Sequence, residues 1–141
     1  MTTKTVIVTV LANRCGPLMT KAGMTITTLG DDFNDPVAWA IRKCGYATAD
    51  VSSPSEAEIA AVPADDMDKL LDLAELRLLE NIATNLDDVD VTVGPRSEKL
   101  DQLAQRVTAK IARLQARIEA TYGLGTGVEA GVLTYEFAEH Q

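Results

Sequence analysis

The sequence predicts an α+β chain, mainly α: a long antiparallel helical hairpin with a small N-terminal β module and an extended C-terminal tail. Three observations carry this. Residues 65–86 and 97–122 repeat apolar side chains at intervals of three and four, the period of a helix with a buried stripe. Residues 4–11 (KTVIVTVL) and 24–29 (MTITTL) are short runs rich in β-branched residues, the composition of strands. Four glycines in the nine residues 123–131 then separate the last helix from VLTYEFAEHQ. These features divide the chain at 1–52, 53–122 and 123–141.

Each element has a local reason. Between the two β-type runs, Asn13 to Pro17 reads as a turn, so the runs predict a hairpin. Such a pair needs something to pack against. Asp35-Pro36 reads as N-cap and N1 of a helix over VAWAIRKC that Gly45 stops, and Tyr46 to Thr48 as a short return strand. Trp39, the single tryptophan, is expected to be buried in this module. Ser53-Pro54-Ser55-Glu56 reads as a capping box opening a short helix to about Ala61, and Pro63 then precedes Asp65-Asp66 at the start of the first hairpin helix.

That first hairpin helix has two apolar sets. Met67, Leu70, Leu71, Ala74, Leu78 and Ile82 share one side; Leu73, Leu76, Leu79, Ala83 and Leu86 share another. It must be covered on both. Residues 97–122 supply one cover, and the N-terminal module or a neighbouring copy supplies the other. The second hairpin helix, about 39 Å long over 97–122, carries Leu100, Leu103, Val107, Ile111, Leu114 and Ile118 as its stripe, with Ser97 as N-cap and Gly123 at C′. Between the helices, Val89, Val91 and Val93 alternate with polar residues. They form either an edge strand open to another chain or an ordered connector over the end of the hairpin.

Charge is distributed in blocks. The net charge is −8, but residues 1–30 carry +3, 31–90 carry −11, 91–122 carry +3 and 123–141 carry −3. Blocks of alternating sign suit head-to-tail contact between copies better than they suit DNA, which favours a basic whole. Within the positive block, Arg106, Lys110, Arg113 and Arg117 form a basic edge a quarter turn from the apolar stripe. It is either a solvated face or a surface for an acidic partner. The tail 123–141 likewise has two readings: a disordered terminus, or a glycine linker that lets Val128, Val132, Leu133, Tyr135 and Phe137 add a strand to a partner.

The composition argues against enzyme chemistry. His140 is the only histidine and Cys15 and Cys44 are far apart, so the sequence offers no zinc-ligand spacing and no histidine-assisted nucleophile; no catalytic residue, metal or cofactor is expected. Asp31, Asp32, Asn34 and Asp35 fail the spacing of a calcium loop, and the GLGTG of 123–127 follows a helix rather than a strand, the wrong context for a nucleotide. With no signal peptide or long apolar run, a reducing cytosol and no membrane partner are the default expectations.

Residues 70–115, LLDLAELRLLENIATNLDDVDVTVGPRSEKLDQLAQRVTAKIARLQ, resemble the helical core of head–tail connector proteins of tailed bacteriophages, also called adaptor or head-completion proteins. The stretch from VTVLANR through KAGMTITTLGDD to AIRKCGYAT resembles a small β module of phage virion proteins. The resemblance covers most of residues 4–122 and is one of pattern, without a catalytic signature. It implies a structural protein of the virion neck, made in the host cytoplasm. Twelve copies commonly form a ring beneath the portal, with a tail or stopper protein below and genomic DNA passing through the lumen. In such a ring the basic edge would meet Asp68, Asp72, Glu75 and Glu80 of the next subunit, or line the lumen. Residues 128–138 would dock on the portal, and Val89 to Val93 would lie near the lower or inter-subunit contact. The alternative from another class is a small cytoplasmic nucleic-acid-binding protein using the same basic edge. It lacks aromatic residues among the bases and has the wrong net charge.

Overall fold

A computed structural model describes residues 3–24, 31–90 and 94–123, with side chains at these positions except 31, 87–90 and 94–101. Five α-helices follow one another: α1 Lys4–Lys21, α2 Asn34–Lys43, α3 Glu56–Ala60, α4 Met67–Asp90 and α5 Gly94–Tyr122. Single 3-10 turns at Asp31–Phe33 and Ala64–Asp66 lead into α2 and α4. The described residues contain no strand; an isolated antiparallel bridge joins Asp50 and Ser53. The mainly helical expectation holds, and the N-terminal β module is not seen among the described residues.

The correction is clearest in α1. Residues 4–11 and the expected turn at Asn13–Pro17 are one continuous helix. Thr3 caps it, its Oγ1 accepting from the Val6 N–H at 3.3 Å. Its buried residues Ile7, Val8, Leu11, Cys15 and Met19 are spaced to face one way on a helix, and burial outweighs the modest strand preference of β-branched residues. Pro17 sits inside the helix with its ring exposed. The second β-type run falls within residues 25–30, outside the described residues except for Met24. Tyr46 to Thr48 form irregular chain and no strand.

Three caps move by a few positions. The residue before α2 is Phe33, which offers no side-chain cap, so Asp35 lies in the first turn and Pro36 is buried. The capping box is real but starts at Ser55: Ser55 Oγ accepts from the Glu58 N–H at 3.1 Å, and Glu58 Oε1 accepts from the Ser55 N–H at 2.8 Å. α5 is helical from Gly94, three residues before the expected Ser97 cap. Gly45 and Gly123 stop α2 and α5 as expected, in left-handed conformations with φ of 97° and 69°. Val89 lies within α4, which runs to Asp90, so it is helical rather than extended; Val91 and Val93 lie outside the described residues.

The core is continuous from Ile7 to Ile118. α4 is its axis and contacts α1, α2 and α5. Leu70, Leu73, Leu76, Leu78, Leu79 and Ile82 are all fully buried, so both apolar sets of α4 are covered within the chain. α5 covers it with Leu103, Val107, Leu114 and Ile118, the expected stripe; the side chain of Leu100 is not among those described. Residues 1–52 therefore share their core with the hairpin. At their far edge, Lys4 N–H donates to Glu56 Oε1 at 3.0 Å, tying α1 to α3.

A polar clasp joins α2 to α4. Arg77 Nε and Asn81 Nδ2 donate to Asp35 Oδ2 at 3.0 and 3.1 Å. The Arg77 and Lys43 cations lie 5.7 and 5.8 Å from the centre of the Trp39 ring, which is partly buried rather than enclosed. Burial alone would raise the Asp35 carboxyl, but the hydrogen bonds from Arg77 and Asn81 and the Arg77 charge bring it below its ordinary 3.8. A lowered carboxyl contributes stability above its unfolded value and loses it as pH falls through the folded one. Asp35→Asn is therefore expected to flatten the acid limb of a stability-versus-pH curve below about pH 4, measured by urea unfolding between pH 2.5 and 6.

Candidate functional site: the charged groove along the second hairpin helix

α1 and α5 both lie on α4 and make few contacts with one another. The groove between them is floored by α4. Asp72 and Glu75, three apart, project from the same face of that helix. Arg14 of α1 reaches both: its Nη1 lies 3.2 Å from Asp72 Oδ1 and 3.0 Å from Glu75 Oε1. From the other wall, Arg117 Nη2 donates to Asp72 Oδ1 at 2.9 Å and the Tyr122 hydroxyl donates to Asp72 Oδ2 at 2.9 Å. Asp72 is the one buried charged residue among those described, and it receives hydrogen bonds from three donors on two other helices.

Burial, the hydrogen bond to Asp72 and the charges of Asp72 and Asp68 push the Tyr122 hydroxyl up to about 12. It is a neutral donor at any ordinary pH. Cys15, beneath the groove, is also pushed up to about 12, by burial and then by the Glu75 charge. Its thiol stays protonated and packs as a small apolar group. Cys15 and Cys44 are both free.

Two recesses flank Arg117. One, of about 340 Å³, is lined by Arg14, Asp68, Asp72, Arg117, Thr121 and Tyr122; the other, of about 270 Å³, by Glu75, Lys110, Arg113, Leu114 and Arg117. The basic edge is thus split in two. Arg117 is engaged by Asp72 of its own chain, although its side chain remains 56% exposed. Arg106, Lys110 and Arg113 form no ion pair among the described residues, and Arg106 and Arg113 are exposed.

The expected acidic set is split as well. Asp72 and Glu75 are consumed within the chain by Arg14 and Arg117. Asp68 stays exposed at the mouth of the groove. Glu80 lies apart from the basic edge; burial raises its carboxyl, and the charge acting on it is that of Arg77, on the α2 side of α4. Arg14 and Tyr122 are members that sequence reasoning missed. The sequence pattern puts Arg14 in a turn where the structure has helix, and no local pattern links it to Asp72, 58 positions away. Val128, Val132, Leu133, Tyr135 and Phe137 lie outside the described residues.

Among the described residues no group of three or more His, Cys, Asp or Glu could hold a metal ion, and no helix is long and apolar enough to cross a membrane. Comparison with protein-family models, with curated proteins and with solved structures gave no match.

Proposed function

We propose that this chain is a structural assembly protein: a head–tail connector that forms a ring beneath the portal of a tailed phage and joins capsid to tail in the virion neck. The observation that carries the reading is an α4–α5 hairpin whose basic edge, Arg106, Lys110 and Arg113, forms no ion pair among the described residues, although the net charge is −8. A long helix with surplus cations beside an acidic body fits contact between copies of one chain. The resemblance of residues 70–115 to connector cores gives that contact its context.

The intrachain pairs narrow the interface. Arg117, Asp72 and Glu75 hold the subunit together, so the proposed inter-subunit contact rests on Arg106, Lys110 and Arg113 against exposed acids such as Asp68. A cationic edge turned to the lumen would bind phosphates and hinder DNA passage. The portal, the tail or stopper protein and the threading genome are the partners of this reading, and residues 128–138 are its portal-docking arm.

The test is to mix purified protein with particles carrying an empty portal vertex and to image them. A symmetric ring at that vertex is the expected result. Arg106→Glu with Arg113→Glu is expected to reduce ring occupancy at least tenfold while far-ultraviolet circular dichroism stays unchanged. Failure of the parent protein to bind, together with salt-sensitive binding to DNA, would replace this reading with the nucleic-acid one.

A further inference from the structure

We propose that the basic edge of α5, Arg106, Lys110 and Arg113, is the docking surface for the acidic segment 44–66 of a second copy of this chain, so that copies meet head to tail. This contact deepens the connector reading, on whose association of copies it rests. Along the two groove recesses Arg14, Lys110, Arg113 and Arg117 stand against Asp68, Asp72 and Glu75, a balance of one positive charge. The intrachain pairs gather at one end of that row, where Asp72 takes Arg14 and Arg117 and Glu75 takes Arg14. Lys110 and Arg113 line the other end, and Arg106 lies one turn beyond it. None of these three forms an ion pair among the described residues.

The complementary surface lies at the end of the bundle where α4 starts. Segment 44–66 carries Asp50, Glu56, Glu58, Asp65 and Asp66 and no Lys or Arg. Three hydrogen bonds hold it there: the Tyr46 hydroxyl donates to Asp66 Oδ2 at 2.6 Å, the Ala49 N–H to Glu58 Oε2 at 2.6 Å and the Lys4 N–H to Glu56 Oε1 at 3.0 Å. With Glu119 in the last turn of α5, six acids stand against the bordering Lys4, Arg42, Lys43 and Lys69. Of those cations only Lys69 makes an ion pair there, with Asp66 at 4.0 Å; Arg42 is turned onto the Thr48 hydroxyl and the Val51 carbonyl, and Lys43 lies over Trp39. Asp50, Glu56 and Asp65 are exposed.

One chain cannot join the two surfaces. α4 and α5 run in opposite senses, with Asp72 beside Arg117 and Glu75 beside Lys110 and Arg113. Asp65 precedes Asp72 and Lys110 precedes Arg117 by the same number of residues, so each lies about 10 Å from the Asp72–Arg117 pair, on opposite sides of it. The resulting separation of about 20 Å exceeds the ~8 Å over which exposed charges act at physiological salt. A second copy displaced by that distance along the hairpin brings its Asp65 level with Lys110 of the first. Surfaces of opposite sign at different places on one chain make a heterologous contact, which repeats from copy to copy.

The experiment measures association of the full chain by sedimentation equilibrium at low ionic strength. It is compared with the Glu56→Lys, Asp65→Lys variant, the Lys110→Glu, Arg113→Glu variant and the chain carrying all four changes. Each double variant is expected to associate about tenfold more weakly, since attractive exposed contacts become repulsive, and the quadruple variant to recover most of the loss. Each exchange of an acid for lysine adds two positive charges, so the first variant moves from −8 to −4. General repulsion between copies would therefore make it associate more tightly, and that result would overturn the proposal. So would a parent protein still monomeric at about 1 mM. A water-soluble carbodiimide locates the contact in the parent without any variant: it joins the Lys110 amine to a neighbouring carboxylate as an amide, the lost water being taken up as the urea. In a mixture of isotope-labelled and unlabelled protein, a link from Lys110 to Asp50, Glu56, Glu58 or Asp65 that joins the two labels supports the contact. Links confined to single copies overturn it. Association through these residues without binding to portal vertices would remove the connector reading alone; rings at the vertex linked from Lys110 to other acids would remove this contact alone.

Discussion

Asp72→Asn is expected to lower the unfolding free energy by about 2 kcal/mol. The carboxylate accepts from Arg14, Arg117 and Tyr122, and hydrogen bonds to a charged group contribute roughly 1.5–3 kcal/mol each when desolvated. Simple addition would exceed the estimate. Arg117 is 56% exposed and Arg14 35%, so solvent screens their share. What remains is a buried amide presenting donors where three donors already point. Arg117→Met alone should cost no more than about 0.5 kcal/mol, as surface ion pairs do. Urea unfolding of these variants, with a double-mutant cycle against Tyr122→Phe, separates the contributions. A loss below about 0.5 kcal/mol for Asp72→Asn would show that the hydrogen bonds to Asp72 contribute little to holding α1 and α5 on α4.

Phe33→Ala is expected to have the larger effect, about 3–5 kcal/mol, from lost transfer energy and the cavity left behind. Phe33 is fully buried at the junction between the 3-10 turn and α2, and it heads the largest fully buried side chains. Since a domain of this size holds roughly 5–15 kcal/mol in total, the variant should sit near the edge of folding. A calorimetric midpoint lowered by more than about 8 °C is the expected reading. Phe33→Leu should recover most of the loss. Equal behaviour of the Ala and Leu variants would mean that the site collapses around either residue.

Much of the hairpin was legible because burial repeats at the helical period over long stretches. Leu103, Val107, Leu114 and Ile118 are buried as their spacing requires, and the two apolar sets of α4 correctly demanded two covers. The N-terminal element was misread because Val6 to Val10 are β-branched in an unbroken run, and Gly16-Pro17 has the look of a turn. The evidence against a strand lay further along, in the placing of Leu11, Cys15 and Met19, which makes sense only on a helix. In the groove, the basic edge could be read from spacing. Its partition into an engaged Arg117 and an Arg106, Lys110 and Arg113 that form no ion pair among the described residues could not, because that depends on Asp72, 45 positions away in sequence. Long-range pairing leaves no periodic trace.

The position of α4 also bears on how the chain is made. Its partners come from both directions, α1 and α2 before it and α5 after it. While residues 103–118 are still missing, a growing chain can bury only one flank of its central helix, leaving leucines of the other in water. Such a truncated product would be sticky rather than merely shorter, and nonsense variants that end between α4 and α5 should be found in the aggregated or degraded fraction of the cell.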